Sequence, residues 1–274
     1  MNTIIKADLH LHSFYSDGKF SIPEIIKLLQ ENEISIFSIT DHDVMEGTRE
    51  AMELCKENGM TTIPGIEFST SLNNREVHIL GYWLDYASTM LEEYLKGIHQ
   101  ARHTRFLEML ERLNKIGCKI SFDDVKKIFP EDIPLGRPHI AKMLVLAGYA
   151  ATMQEAFYKY IGDNKIADVK KKNPQAGEVI ELIHQLGGLA FLAHPGKHFL
   201  WEDIDLLLDM PIDGIEVIHP THSKSKSDFL NQFADEKNLM KSGGSDFHGI
   251  FDKDIQNLGK YFIEENEIQS ILYL

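Results

Sequence analysis

Apolar, β-branched runs alternate with stretches of helical periodicity over most of the chain, a rhythm that predicts an α/β architecture rather than a helical bundle or a β-sandwich. Strands are expected over roughly 4–12, 34–40, 61–67, 76–83, 188–194, 213–218 and 238–245. Several connections read as helices. IPEIIKLLQENE places Pro23 in a first turn after Ser21, and EGTREAMELCKENG closes on Gly59. Such helical crossovers join parallel strands. SLNNRE differs: Asn73 and Asn74 separate two strand-like runs and predict a tight antiparallel hairpin. From about residue 88 to 175 the strand rhythm stops, and LEEYLKGIHQARHTRFLEMLERLNKIG reads as one long helix followed by shorter ones. The expected organisation is a core domain of residues 1–87 and 176–274 with a helical insertion at 88–175. Lys170, Lys171 and Lys172 near its end read as a solvated connection rather than a nucleic-acid patch.

The first strand carries unusual chemistry. On a strand, Ala7, Leu9 and Leu11 point one way while Asp8, His10 and His12 point the other. Two imidazoles spaced by two on one face can approach a single cation, and imidazole suits zinc, iron and manganese. By itself the pair is equally compatible with a structural role. Further ligand types recur where other strands end: Asp41, His42 and Asp43 after the second, Glu67 at the third, His194 at the fifth, Asp246 and His248 at the seventh. His78 stands instead near the start of its strand. The hairpin accounts for this, because an antiparallel fourth strand begins beside the end of the third, on the rim that carries Glu67. Reactive groups of barrel-like α/β folds gather at that rim.

Composition narrows the reading. An apolar fraction of 43% and a charged fraction of 26% are those of an ordinary globular protein with ample surface to bury. A formal net charge of −14 argues against broad adhesion to DNA or membranes, although bound cations would offset part of it locally. Cys55 and Cys118 are too few for a disulfide framework and fit a reducing compartment. No apolar stretch approaches a membrane span and no signal segment precedes the first strand, so a cytoplasmic location is expected.

DLHLHSFYSDG, ITDHD, GIEFS, VHILGY, AHPG and GSDFHG, in that order across residues 8–249, resemble the polymerase and histidinol phosphatase (PHP) family of metal-dependent phosphoesterases. The resemblance implies a distorted seven-stranded β/α barrel and two or three divalent ions, with manganese first and iron or zinc also compatible. Carried onto this sequence, the family pattern implies metal ligands at His10, His12, Asp17, His42, Glu67, His78, His194, Asp246 and His248. His10, His12, Glu67 and Asp246 would surround one ion, Glu67 would reach a second held by His78 and His194, and Asp17, His42 and His248 would hold a third. Glu67 and Asp246 would then belong to the catalytic cluster, whose expected chemistry is attack on phosphorus by a metal-bridging hydroxide. Cations are needed because phosphate esters are anionic and repel that nucleophile.

Other residues carry readings of their own. LGRPHIAKML sets Arg137 and His139 at a helix start, with Pro138 in its first turn. Similarity to nucleotide phosphatases of the family implies a segment covering the active site, with Arg137 as a phosphate clamp and His139 as a weaker candidate. His219 and His222, after the sixth strand, are candidate substrate contacts. Lys197 and His198 read as exposed loop residues, and His99, His103 and His184 as packing or surface residues. Asp8, Asp41 and Asp43 are expected to orient the imidazoles. The leading reading is a phosphoesterase acting on a nucleoside 3′,5′-bisphosphate or a short RNA 5′ end, with no long duplex or membrane partner. Histidinol phosphate phosphatase is the runner-up. A non-catalytic, metal-stabilised structural or regulatory module is the contrasting class, and it would show lost ligands, whereas every ligand type is present.

Overall fold

The computed structural model describes residues 4–56, 59–73, 75–129, 135–195, 206 and 209–272. The chain divides into two compact units, Met1–Leu91 with Asn173–Leu274, and Glu92–Lys172.

In the first unit, β1 (Lys6–Leu11) runs parallel to β2 (Ile34–Ile39), which runs parallel to the short β3 (Thr61–Thr62). A further short strand, β9 (Ile263–Glu264), pairs antiparallel with the other edge of β1. A second sheet has the order β4 (Gly65–Leu72), β5 (Arg75–Tyr82), β6 (Leu189–Leu192), β7 (Gly214–Ile218) and β8 (Met240–Gly243). Within it β5 is antiparallel to both neighbours, and β6, β7 and β8 are parallel.

The expected seven-stranded barrel is therefore corrected: the described residues form nine strands in two mixed sheets, of four and five strands. The expected strand at 61–67 is two strands. Pro64 has no N–H to give a ladder, and the chain passes there from the first sheet to the second. The last strand, at two residues, is too short to show periodicity. Single bridges, Leu11 to Phe247 and His42 to Glu67, link the sheets where strand ends converge. The Thr48 hydroxyl reinforces this junction, 2.8 Å from the Ile39 carbonyl and 2.6 Å from that of Gly65.

Local chemistry sets the supporting helices. In α1 (Ile22–Glu31), Ile22, Ile25, Ile26 and Leu29 recur at helical spacing and pack with Leu11, Ile34, Phe37, Ile39 and Phe247 in one core. Burying each such side chain stabilises by about 1.5–3 kcal/mol. The helix start is held by Glu24, whose carboxylate accepts the Ser21 N–H at 2.8 Å. The crossover into β3 contains α2 (Glu46–Leu54), which ends before the expected closing glycine, although Gly59 does adopt φ +75°. At the hairpin, Asn73 has φ +50°, a conformation asparagine tolerates, while Asn74 lies outside the described residues.

The second unit has its own core. The long helix α3 (Thr89–Lys115) supplies Phe106, Met109, Leu110 and Leu113, which pack with Ile120, Val125, Ile140 and Leu144. Arg112 donates to the Asp168 carbonyl at 2.6 Å and ties the end of the unit back to α3. No helix among the described residues is long and apolar enough to cross a membrane.

Candidate metal centre

The alternation of β1 sends Leu11 into the helix-covered core and leaves His10 and His12 facing a cluster of carboxylates. His10 Nε2 lies 3.1 Å from Glu67 Oε2 and 3.4 Å from Asp246 Oδ1. His12 Nε2 lies 3.1 Å and 3.2 Å from the same two oxygens. Ligand atoms of His10, His12, Glu67 and Asp246 all fall within 4.8 Å of one another. The antiparallel pairing of β4 with β5 sets His78 on the face of Glu67, with His78 Nδ1 2.8 Å from Glu67 Oε1. His194, where β6 ends, places Nε2 2.9 Å from that same oxygen. The two carboxylate oxygens of Glu67 thus face two different sets of imidazoles.

A third set gathers around Asp17, with His248 Nε2 at 3.3 Å, His12 Nδ1 at 3.8 Å and His42 Nε2 at 3.9 Å. His42 also presents Nδ1 to Glu67 Oε2 at 3.3 Å and stands between two groups rather than in one. The structure therefore brings all nine expected ligands together in the first unit.

The electrostatics are those of interleaved acids and imidazoles. Burial opposes charge on Glu67, but His42, His10 and His78 hold its carboxyl well below the usual range. Burial likewise opposes charge on His78, and Glu67 outweighs it, pushing that imidazole up to about 9. His248 is pushed up to about 10 by Asp17 and Asp246, again against burial. A test of metal fit comes from atoms these pairings do not satisfy. His12 Nε2 and His42 Nδ1 are buried without a hydrogen bond, although carboxylate oxygens stand 3.1–3.3 Å away, and His12 Nδ1 is likewise unbonded, with Asp17 at 3.8 Å. Converging lone pairs at such distances are what a cation would reconcile, and the mixed imidazole and carboxylate donors suit manganese, iron or zinc.

Backbone geometry is spent on aiming these side chains. His194 and Asp246 have φ of +26° and +49°. Such conformations cost non-glycine residues about 1–3 kcal/mol and cluster at functional sites. Gly244 lets β8 close onto β1: a Cβ there would lie 2.6 Å from the His10 nitrogen and 2.7 Å from its Cβ.

Asp8 accepts from the backbone of Ser245 at 3.0 Å and of His10 at 3.3 Å, and burial pushes its carboxyl up to about 7. Asp41 accepts from Ser13 N–H, Ser13 Oγ and Ser16 Oγ at 2.7, 2.6 and 2.6 Å, holding the loop that carries Asp17. Asp43 accepts from the Ser69 N–H at 2.9 Å. These carboxylates grip strand-end backbone and hydroxyls beside the histidines. A carboxylate seated against an imidazole from behind is Glu216, which no sequence motif marked, with Oε1 3.0 Å from His10 Nδ1. A charged residue in the middle of the buried strand GIEVI was the available signal.

Among the substrate candidates, His219 is buried with Nε2 3.2 Å from Asp246 Oδ2, and its Nδ1 accepts the Thr221 N–H at 3.1 Å. His222 is also buried; burial pushes its imidazole down to about 4, and Nδ1 faces the Val217 carbonyl at 3.4 Å. In the second unit, Arg137 opens α4 (Arg137–Leu146), with Nη1 2.7 Å from Asp163 Oδ1. His139 Nδ1 accepts the Gly136 N–H at 2.9 Å and the ring packs edge-on against Phe129. These contacts hold the helix start under Arg137. His184 pairs with Asp213 at 2.7 Å, and His103 packs on Phe122, both structural. Lys197 and His198 lie outside the described residues.

A family model for the PHP domain matches residues 8–199. The chain is 32% identical over 249 residues to a 5′-3′ exoribonuclease of Haemophilus influenzae, covering 89% of this chain and 90% of that one. It is 31% identical over 246 residues to a 3′,5′-nucleoside bisphosphate phosphatase of Chromobacterium violaceum, covering 88% and 86%. A solved structure assigned as a metal-dependent phosphoesterase of Bifidobacterium adolescentis aligns with a TM-score of 0.87 at 28% identity, covering 97% of this chain and 95% of that one.

Proposed function

The chain belongs to the PHP domain family and is a metal-dependent phosphoesterase; we propose that it removes a terminal phosphate from a nucleoside 3′,5′-bisphosphate or hydrolyses the 5′-terminal linkage of a short RNA. The observation that carries the reading is the split engagement of Glu67, one oxygen toward His78 and His194, the other toward His10 and His12. His10, His12, Glu67 and Asp246 would hold one divalent ion; Glu67, His78 and His194 a second; Asp17, His42 and His248 a third. When bound, such ions lower the pKa of a coordinated water and neutralise charge building on a phosphoryl group.

The protein's own residues do the rest. Carboxylates interspersed among the imidazoles keep the assembly from excess positive charge. His219 projects an Nε2–H at the Asp246 edge of the centre, because its Nδ1 already accepts from Thr221. This donor would bind a phosphoryl oxygen. Arg137 would supply a fork for a second phosphate. Charge distribution along the chain favours that division: residues 92–172 contain fifteen lysines and arginines against eleven acids, and the remainder thirteen against thirty-one. A basic insertion recruits an anion; an acidic core retains cations.

The test is to purify the protein without a chelating tag, count its metals, and compare turnover of adenosine 3′,5′-bisphosphate, histidinol phosphate and short 5′-phosphorylated RNA. Faster turnover of histidinol phosphate than of either nucleotide would replace the proposed substrate. Metal uptake with no turnover of any phosphoester would make the site a structural one.

A further inference from the structure

Glu216 lies in the middle of β7, is fully buried, and belongs to none of the three ion groups proposed above. Each of its oxygens has a different partner. Oε1 is 3.0 Å from His10 Nδ1, and Oε2 accepts a 2.6 Å hydrogen bond from the backbone N–H of His194. The two partners come from β1 and from the end of β6, which belong to different sheets.

We infer that Glu216 is a positioning residue that sets the donor atoms of two ion sites at once, fixing the His10 ring with its proton on Nδ1 and pinning the backbone turn that aims His194. The inference rests on the reading of His10 and His194 as metal ligands. Both ring nitrogens of His10 face carboxylates, Nδ1 toward Glu216 and Nε2 toward Glu67 and Asp246; with a cation held at Nε2, the one proton of the neutral ring is on Nδ1, where Glu216 accepts it. A carboxylate behind a ligating imidazole also raises the ring's basicity as a ligand.

The second contact acts through the main chain. His194 has φ +26°, a conformation a non-glycine residue does not hold unaided, and the Glu216 bond anchors its N–H. Two donors converge on this one side chain, so two acceptor oxygens are required. Glutamine offers one oxygen and would set its NH₂ against either the imidazole N–H or the backbone N–H. Aspartate, one methylene shorter, would fall short of both. A fully buried carboxylate is costly to desolvate, which makes its retention here hard to explain by packing alone.

The experiment combines one measurement on the wild type with a variant series. In ¹⁵N-imidazole-labelled wild type loaded with Zn²⁺, the His10 resonance, assigned by its loss in His10→Gln, should show a slowly exchanging Nδ1–H and a metal-bound Nε2. A proton on Nε2 would overturn the inference whether or not any variant folds. Titrating metal-free protein with Mn²⁺, Glu216→Gln should retain the wild-type number of ions but bind them about 10–100-fold more weakly. In a His10→Gln background the same change should have a much smaller effect, since part of the coupling is already lost. A Glu216→Gln protein with lowered melting temperature and unchanged Mn²⁺ affinity would make Glu216 a structural strut and end the proposal. Loss of one whole ion would also end it, because Glu216 would then be a ligand itself together with His10 and His219, whose donor atoms fall in one group. A wild type that takes up no metal would instead sink the reading of the centre, while a fast-exchanging His10 Nδ1–H in that protein would count separately against Glu216.

Discussion

Glu67 and His78 sit diagonally across one face of an antiparallel ladder, Glu67 opposite Leu80 and His78 opposite Ser69, and their side chains meet at 2.8 Å. The second Glu67 oxygen is turned toward β1, so this carboxylate joins donors from both sheets. Glu67→Gln preserves size but removes the charge and one acceptor. Metal retention should weaken and turnover fall by orders of magnitude. A folded variant with unchanged metal content and turnover would show that Glu67 is no ligand.

Asp17 and His248 meet at 3.3 Å, and His248 also stands 3.6 Å from Asp246 of a neighbouring group. Asp17→Asn and His248→Gln should each lower metal content by about one ion and leave the others in place, since those keep their own donors. His42→Gln should impair turnover more than either, because its two ring nitrogens face Asp17 and Glu67. Metal analysis after gel filtration decides the point, and unequal ion loss between the first two variants would break the grouping.

Arg137 presents a planar fork now paired through Nη1 with Asp163. Arg137→Lys retains the charge without the fork, so preference for a bisphosphate over a simple monoester should shrink by about 1–3 kcal/mol. The ratio of kcat/KM for the two substrates reads this directly. Equal losses would place Arg137 on the phosphate being hydrolysed.

His222 gives the fold an acid sensitivity. Burial pushes its imidazole down to about 4, against 6.5 for the ordinary group. Between those values the unfolded chain holds the proton more readily than the folded one, so stability is fully present above pH 6.5 and declines as the pH falls toward 4. The loss should amount to about 1–3 kcal/mol at the acid end. His222→Phe should flatten this part of the curve of melting temperature against pH. An unaltered slope between pH 7 and pH 5 would assign the acid response to other groups.

Gly244 is needed for the approach of β8 to β1. Gly244→Ala should destabilise by about 1–3 kcal/mol, as overpacked sites do, and weaken metal binding through His10. Chemical denaturation of the metal-free protein separates the two effects.

The alternation in ADLHLH was enough to put His10 and His12 on one face, and two asparagines after Glu67 were enough to turn the next strand back and bring His78 to it. These are local properties: side-chain direction on a strand and the short span of a hairpin follow from neighbours in the chain. The motifs likewise contain all nine side chains that the fold gathers around Glu67 and Asp17. Tertiary structure decided what depends on residues far apart. Pro64 stands where the chain passes between two sheets, which meet through isolated bridges. His42 stands between two groups, and His139 turns to cap its helix. Glu216 looks from the sequence like a misplaced charge in a buried strand. Only the convergence of an imidazole 206 positions away and a backbone N–H 22 positions away gives it two partners, because a buried carboxylate's worth is set by which donors the fold brings to it.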